Sequence, residues 1–423
     1  MTNRTETRAK MWNRNFLLLW QGQIVSQIGT QLFSLALLYW VLETTGSATL
    51  MGLILMAAAL PGALLGPFAG TLADNFSRKW LMVWSDVVRG LVALAFVYVL
   101  WWGESGWALP TLFAAQVIFG ICNSIFTPAV NATIPELVTR DRLTSANSLL
   151  QGANSLTTTA SFSLGGFLYA AVGAAWLFAI NGISYLLSAL SESFIRVEQK
   201  LPNQRMSRSN ALAKFRHDTW EGILYVWGNR GLRILVGMLA LINFVLVPTA
   251  IGIPILVKDF LGRGPEFLGI MGACQALGSL VGFIVMAVVK IAPAERPYII
   301  LLGMVASGGS IVLLGLTTIP LLTLPVLALF GFTLPLINVN IISLMQGTTP
   351  SATRGRVMGV MATVVLGLIP LSQGISGIVI DALDQNIPAI YVAVGLAFVA
   401  LVLTSAINAD FRRYLATDYS LRD

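Results

Sequence analysis

Long apolar runs separated by short polar segments dominate the chain. A helix needs roughly 20 residues to cross a hydrocarbon core of about 30 Å. Twelve runs reach that length, near residues 15–41, 49–73, 80–102, 107–131, 143–170, 173–195, 230–256, 266–289, 297–317, 320–345, 356–382 and 386–409. Lipid offers no hydrogen-bond partners to the backbone, and the alternating pattern of a membrane barrel is absent. The pattern therefore predicts an all-α membrane protein with 12 transmembrane helices, which we number as spans 1 to 12.

Basic residues are unevenly distributed among the loops between these spans. If the amino terminus is cytoplasmic, 23 of the 26 Lys and Arg residues fall on the cytoplasmic side; Lys258 and Arg263 fall outside, and Arg89 lies within span 3. Cytoplasmic loops are enriched in basic residues, whereas exported loops are depleted in them. This distribution predicts that both termini lie in the cytoplasm.

The composition indicates a chain that lies in lipid, and it argues against nucleic-acid binding, metal binding and catalysis. Hydrophobic residues make up 56% of the chain and charged residues 11%. The net charge of +7 is spread over loops on one membrane face, so it indicates topology rather than nucleic-acid binding. Cys122, Cys274 and the single histidine, His217, lack metal or redox spacing, and no phosphate-binding glycine loop is present. We therefore expect no metal, no cofactor and no enzymatic activity.

Two features repeat at a nearly constant separation. The glycines of span 2, Gly52, Gly62 and Gly66, return in span 8 as Gly269, Gly278 and Gly282, and a Thr-x-Pro segment after span 4 returns after span 10. Because six spans separate equivalent points, the two copies have the same orientation in the membrane. We predict two parallel six-helix halves: an amino-terminal bundle over 1–195, a cytoplasmic linker over 196–229, a carboxy-terminal bundle over 230–409 and a cytoplasmic tail over 410–423.

A charged turn joins spans 2 and 3. Residues 70–82 read GTLADNFSRKWLM, which resembles the loop G-x-L-A-D-R-x-G-R-K-x-x-L of the major facilitator superfamily. The usual Arg and second Gly of that motif are replaced by Asn75 and Ser77. The resemblance implies that Asp74 locks the two halves on the cytoplasmic side and favours the outward-facing state. It assigns conformational gating to Gly70, Asp74, Arg78 and Lys79, and to Arg354 and Arg356 of the equivalent second-half loop.

Further segments resemble the drug-exporter branch, in particular macrolide efflux proteins and the enterobactin exporter. They are Ser85–Arg89, Phe126–Ala129, Ile134–Leu137, Leu143–Leu149 and Arg354–Gly359. The resemblance implies a secondary active transporter of the bacterial cytoplasmic (inner) membrane. It implies export of drugs or amphipathic small molecules by alternating access, with proton antiport. Residues 161–166 read SFSLGG where antiporters often carry G-P-x-x-G-G, so antiport has weaker support than export.

Two other functions stay open: a siderophore exporter, and a transport-inactive membrane scaffold or sensor with the same fold. The partners expected are a small-molecule substrate, protons as the coupling ion and the lipid bilayer, with no nucleic acid and with a monomeric chain.

Few ionisable residues lie within the spans. Asp86 and Arg89 are one helical turn apart in span 3, and Glu192 lies near the inner end of span 6. Ionisable residues inside a membrane mark ion pathways or pair with one another. We name Asp86, Arg89 and Glu192 as coupling candidates. For the first two, a fixed ion pair that ties span 3 to a neighbour is the alternative.

Polar residues recur at helical spacing on several spans, as expected for helices around an aqueous path. The candidate path residues are Gln23, Gln27, Gln31, Gln116, Asn123, Asn147, Gln151, Asn154, Asn243, Gln275, Asn338 and Gln373. Hydrogen bonds between helices are the alternative role, worth roughly 0.6 kcal/mol each. We expect the set to divide between the two roles.

Overall fold

The computed structural model describes residues 12–139, 142–196, 219–289 and 291–418. Its main elements in these ranges are the helices α1 (Arg14–Thr45), α2 (Ala48–Asn75), α3 (Arg78–Trp102), α4 (Ala108–Leu137), α5 (Leu143–Ser193), α6 (Arg230–Ile255), α7 (Pro265–Val288), α8 (Arg296–Leu316), α9 (Pro320–Thr348), α10 (Ser351–Gly367), α11 (Ile369–Ala382), α12 (Ile387–Ile407) and α13 (Ala409–Leu415). Short helical turns also cover Ser105–Trp107 and Leu256–Phe260. The all-α prediction is confirmed.

Within the described residues, 11 helical stretches are long and apolar enough to cross a membrane. Predicted spans 5 and 6 meet in one of them, Ser163–Ser193, because α5 is helical on both sides of Gly173. At Gly173 the backbone takes φ 78° and ψ 172°, which glycine adopts at little cost because it has no Cβ. The two predicted spans are therefore the two arms of α5 on either side of this bend.

Span 11 is interrupted as well. α10 ends at Gly367 and α11 begins at Ile369, with Leu368 between them. Pro370 lies in the first turn of α11, where its missing N–H would have no intrahelical partner in any case. The interruption therefore costs the helix no additional hydrogen bond at that position.

The chain divides into two compact units. Unit 1 comprises Met1–Leu37 and Ala57–Leu212, and unit 2 comprises Leu38–Met56 and Ala213–Asp423. The segment Leu38–Met56, which holds the end of α1 and the start of α2, thus clusters with unit 2. As a result, the single helix α2 has residues in both units.

Each unit has its own apolar core. In unit 1, Leu19, Met82 and Ala129 are fully buried in a cluster contributed by α1, α3 and α4. In unit 2, the cluster includes Leu235 of α6, Leu344 of α9 and Phe411 of α13, so the short terminal helix packs onto the unit rather than standing free. Burial of these apolar side chains stabilises the fold of each unit.

Candidate functional site

A buried ion pair lies on α3 in unit 1. Asp86 is 0% exposed and Arg89 is 6% exposed, and an Arg89 Nη2–H donates to Asp86 Oδ1 one helical turn away. The Arg89 Nε–H also donates to the Ser85 carbonyl over 3.3 Å. The Phe126 and Tyr185 rings lie 4.4 and 4.5 Å from the guanidinium carbon. Cation–π contacts therefore supplement the single carboxylate in holding the guanidinium.

A second carboxylate approaches this pair from α5. Glu192 is 0% exposed, and its Oε1 accepts a hydrogen bond of 3.2 Å from Gln23 Nε2 of α1. Glu192 interacts electrostatically with both Asp86 and Arg89. The three coupling candidates named from the sequence therefore lie together, and Gln23, a candidate for the substrate path, binds Glu192.

The charges in this cluster do not balance. Two carboxylates face one guanidinium, and among the described residues the second oxygens of both, Asp86 Oδ2 and Glu192 Oε2, are buried and form no hydrogen bond. The Ser188 hydroxyl faces Asp86 but forms no hydrogen bond of normal geometry with it. An uncompensated charge in an apolar interior costs several kcal/mol, so a carboxyl placed there favours binding a proton. The arrangement can therefore hold and release a proton.

A buried polar stripe on α5 supports the cluster, and sequence reasoning missed it. Asn181, Ser184, Tyr185, Ser188 and Glu192 follow one another at steps of one, three or four residues and are all buried. The Tyr185 hydroxyl shares a 2.9 Å hydrogen bond with the Thr30 hydroxyl of α1. This spacing repeats once per helical turn, so the signal that could have revealed the stripe is present in the sequence.

Glycines let α1 lie directly against this stripe. A Cβ added at Gly29 would lie 2.1 Å from Ser184 Oγ, and one added at Gly22 would lie 3.2 Å from Ser188 Oγ. A Cβ at Gly29 would fit only if the Ser184 hydroxyl turned away and the Asn181 backbone, 3.0 Å distant, gave way slightly. The close approach of α1 excludes bulk water from the polar stripe.

The predicted gating residues make contacts within their own units. In unit 1, an Arg78 Nη1–H donates to the Ala132 carbonyl at 2.9 Å and pairs with Glu136. The Lys79 ammonium lies 5.3 Å from the Trp80 ring centroid. The surroundings of Gly70 and the side chain of Asp74 lie outside what the structure describes, so the predicted Asp74 contact stays a prediction.

The second-half gating residues show a parallel arrangement. In unit 2, an Arg356 Nη1–H donates to Glu221 Oε2 at 2.5 Å, and an Arg354 Nη2–H donates to the Thr349 carbonyl at 3.3 Å. Arg78 and Arg356 thus each pair with a glutamate of their own unit. Neither glutamate pairing was predicted from the sequence.

Among the path candidates of unit 1, two glutamines bridge α1 and α5. Gln27 Oε1 accepts from the Thr157 hydroxyl, and Gln31 Nε2 donates to the Thr158 hydroxyl, both at 3.2 Å. Asn147 donates to the Leu143 carbonyl of its own helix. The others are Gln116, which is buried, and Asn123, Gln151 and Asn154, which are exposed. Helix-to-helix bonding therefore accounts for Gln27 and Gln31 in this structure.

The four path candidates of unit 2 lie on four different helices. Asn243 donates to the Leu239 carbonyl of its own helix at 2.9 Å, and Asn338 is exposed. Gln275 is half-buried, and its backbone carbonyl lies against Gly331 of α9. The Oε1 atom of Gln373 is buried without a hydrogen-bond partner. Their place on a substrate path stays a prediction.

Comparison with known proteins identifies the family. The sequence model described as Major Facilitator Superfamily matches residues 19–372. Macrolide efflux protein A of Streptococcus pyogenes is 27% identical over 273 residues, which cover 64% of this chain and 65% of that protein, just under two thirds of its length. The multidrug efflux pump Tap of Mycobacterium bovis (strain BCG / Pasteur 1173P2) is 26% identical over 92% of each chain. An MFS-type transporter of Bacillus subtilis (strain 168), YfiS, is 28% identical over 96% of each.

Solved structures agree on the fold. The nucleoside transporter NupG superposes with a TM-score of 0.68 and 12% identity, covering 93% of this chain and 98% of that chain. A bacterial homologue of the iron transporter ferroportin, in an inward-facing state, gives a TM-score of 0.68 with 17% identity over 93% of this chain and 99% of that one. The sequence-based family prediction is confirmed, and the chain is a multi-pass membrane protein that belongs to the Major Facilitator Superfamily, a family of transporters.

Proposed function

We propose that this chain is a monomeric secondary transporter that exports drugs or other amphipathic small molecules, macrolides among them, from the bacterial cytoplasm in exchange for protons. The names of two relatives, macrolide efflux protein A and the multidrug efflux pump Tap, support this substrate class. The two halves alternate access to the substrate, and the motif residues Gly70, Asp74, Arg78, Lys79, Arg354 and Arg356 gate the cytoplasmic side.

The observation that carries the proton-coupled part is the charge imbalance inside unit 1. Asp86 and Glu192 are both 0% exposed, and both interact with the Arg89 guanidinium, which pairs directly with Asp86. Structural ion pairs in membranes need no excess carboxyl, because every buried charge without a counterion weakens the fold. A surplus acidic group in a dry site is therefore better explained by a proton that binds and leaves during the cycle.

The contacts divide the roles within the cluster. Asp86 receives the guanidinium of Arg89 directly, which favours its charged form. Glu192 receives only the neutral amide of Gln23. We assign proton exchange to Glu192, and we assign to the Asp86–Arg89 pair the task of setting the field in which Glu192 titrates. The pair thereby combines the two alternatives left open by the sequence.

Transport into everted membrane vesicles tests the proposal, with erythromycin as the probe. An acidic vesicle lumen should drive erythromycin accumulation, and collapse of the pH gradient with nigericin should abolish it. Glu192→Gln, which mimics the protonated residue, should lower gradient-driven accumulation by about 10-fold or more, as expected when a proton-transfer residue is removed. It should leave the exchange of labelled for unlabelled erythromycin intact.

Glu104→Gln is the matched control, because Glu104 is an exposed carboxyl outside the cluster. Accumulation that persists after the pH gradient is collapsed would overturn proton antiport. Absence of any erythromycin movement would overturn the macrolide assignment. The same vesicles are then tested with an iron-free catecholate siderophore, whose accumulation would support the rival siderophore exporter. If neither compound moves, the scaffold or sensor interpretation stands.

A further inference from the structure

A carboxylate in unit 2 binds the start of a helix with all of its acceptor capacity. Asp381, at the end of α11, accepts through Oδ2 from the Ser47 hydroxyl and the Thr49 N–H, each at 2.8 Å. Through Oδ1 it accepts from the Ala48 N–H at 3.0 Å and from Gln385 Nε2 at 2.8 Å. The first N–H groups of a helix have no intrahelical acceptors and carry the positive end of its dipole. Asp381 therefore caps α2 from a distant part of the chain.

Two neighbouring residues extend this contact. Gln385 Nε2 also donates to the Gly46 carbonyl at 2.6 Å, and the Thr49 hydroxyl donates to the Gly377 carbonyl at 3.3 Å. Asp384 and Gln385 have φ values of 51° and 54°, so the chain turns back at the end of α11 and brings the Gln385 amide towards α2. The cap is thus held by side chains on both sides of the turn.

Below the cap, glycines allow α2 and α11 to touch backbone to backbone. A Cβ added at Gly52 would lie 2.3 Å from the Gln373 carbonyl oxygen, and one added at Gly377 would lie 2.4 Å from the Ala48 carbonyl oxygen. Because these residues have no side chains, the two helices can separate and meet again without any rotamer change. At Gly52 and Gly377 the contact is therefore one of backbones, while Leu53 and Met56 of α2 pack against Gly374.

Because α2 has residues in both units, movement between the units acts on its contact with α11. Leu38–Met56 clusters with unit 2, whereas the rest of α2, from Ala57 onward, clusters with unit 1. Movement of one unit relative to the other must therefore either bend α2 or part its first turns from α11. A contact made of hydrogen bonds and closely packed backbone, with few side chains between the two helices, parts at lower cost than a helix breaks in its interior.

We propose that residues 46–52 and 373–385 form an outer latch, with Asp381 as the positioning residue that keeps the extracellular end of the transport path closed. Both segments adjoin loops that the distribution of basic residues places outside the cell. This inference rests on the proposed function, because only a protein with alternating access needs its outer end to open. It assigns Asp381 to conformational equilibrium and not to proton transfer.

Labelling of a cysteine beneath the latch tests the proposal. Leu53 lies against Gly374 of α11 and is half-buried. Leu53→Cys is introduced into a chain carrying Cys122→Ser and Cys274→Ser, which removes both native cysteines. A membrane-impermeant maleimide is then added from outside to proteoliposomes with outward-facing extracellular loops, and the labelling rate is measured without any substrate.

Asp381→Asn should raise this labelling rate about 10-fold, because an amide accepts at one oxygen only and presents its NH2 group to the remaining donors. Asp384→Asn is the matched control: Asp384 is exposed, lies three residues away and should leave the rate unchanged. An Asp381→Asn protein that is monodisperse and labels at the wild-type rate overturns the latch.

A steric variant keeps the test decisive if Asp381→Asn does not fold. Gly377→Ala places a Cβ against the Ala48 carbonyl oxygen and should also speed labelling, although the cap itself is untouched. Gly62→Ala is its control on α2, since nothing lies within 4 Å of a Cβ there. Gly377→Ala at the wild-type rate overturns the latch. Erythromycin accumulation that ignores the pH gradient overturns the proposed function instead, and leaves the labelling result standing.

Discussion

The acidic residues of the two units meet different numbers of hydrogen-bond donors. In unit 1, Asp86 and Glu192 are fully buried, and each keeps one oxygen without a partner. In unit 2, Asp381 is half-buried, and each of its oxygens accepts two hydrogen bonds. Two of its four donors are backbone N–H groups at a helix start.

The number of hydrogen-bond donors, and not depth of burial alone, therefore distinguishes a carboxyl that exchanges a proton from one that holds two helices together. A carboxylate that accepts several hydrogen bonds is stabilised in its charged form. A buried carboxylate with few donors favours the neutral form for the same reason. Asp381 is therefore suited to fixed pairing, whereas Glu192 is suited to exchange of a proton.

The largest effect expected from this comparison follows removal of the guanidinium. Arg89→Ala leaves two buried carboxyls without a counterion and should lower the free energy of unfolding by about 3 to 5 kcal/mol. The loss is measured by thermal unfolding in detergent. The signal is the reaction of a fluorogenic maleimide with the Cys122 thiol, which is buried in the folded protein. Adding Asp86→Asn should restore part of it, because one of the uncompensated carboxyls is then gone.

Arg263→Ala is the control for this prediction, since Arg263 is exposed and lies outside the cluster. If Arg89→Ala unfolds at the same temperature as Arg263→Ala, water already compensates the cluster. The contrast with Asp381 would then be lost, and with it the reason for assigning the proton to Glu192.

Local sequence properties predict the helices but not the partners of these carboxylates. The length of an apolar run and the position of its basic flanks are encoded within a few tens of residues, which is why the all-α fold could be predicted; the family followed from the equally local motif over residues 70–82. The Gln23–Glu192 hydrogen bond joins residues 169 positions apart. The hydrogen bonds by which Asp381 caps α2 join residues more than 330 positions apart. Such pairings depend on the packing of whole helices, which one sequence does not reveal.

The same limit explains the role of Asp381. From the sequence it is only an acidic residue at the outer end of span 11, with no partner in view. The boundary between predicted spans 5 and 6 falls at the bend of α5, but the conformation there could not be predicted: a glycine within an apolar run is common, and only the backbone shows that Gly173 has positive φ. The stripe on α5, in contrast, could have been predicted from its spacing.

A smaller effect is expected where α1 packs on that stripe. Gly29→Ala forces a Cβ towards Ser184 Oγ and the Asn181 backbone, and overpacking of this kind costs about 1 to 3 kcal/mol. Gly237→Ala, at an open position of α6, should instead be neutral or gain up to about 1 kcal/mol from helix propensity. Thermal unfolding in detergent should therefore shift in opposite directions for the two variants.

The glycine variants also show whether each helix contact is permanent or separable. If the contact of α1 with α5 is permanent and the outer latch is separable, Gly29→Ala should lower the unfolding temperature without changing Leu53→Cys labelling. Gly377→Ala should change labelling with little loss of stability. The reverse outcome, a latch variant that only destabilises, would show that α2 and α11 stay together throughout the cycle.

The smallest expected effect comes from removing one donor of the four that reach Asp381. Ser47→Ala deletes the hydroxyl that donates to Asp381 Oδ2 and should speed Leu53→Cys labelling about fivefold, since a single hydrogen bond contributes about 1 kcal/mol. The same hydroxyl also accepts from the Leu50 N–H at 3.2 Å, so alanine weakens the start of α2 as well. Ser405→Ala, which loses only a bond to its own helix, should leave labelling unchanged.

Ser47→Gly separates these two contributions. Glycine is tolerated at the start of a helix at a cost of only a few tenths of a kcal/mol relative to serine, whereas alanine costs about 1 kcal/mol. Both variants lose the bond to Asp381, so both should raise the labelling rate equally, while thermal unfolding should be lowered more by alanine. If labelling instead followed stability, rising with Ser47→Ala and not with Ser47→Gly, the exposure of position 53 would report fraying of α2. Asp381 would then only cap α2, and the contact between α2 and α11 would be a fixed structural contact and not a latch.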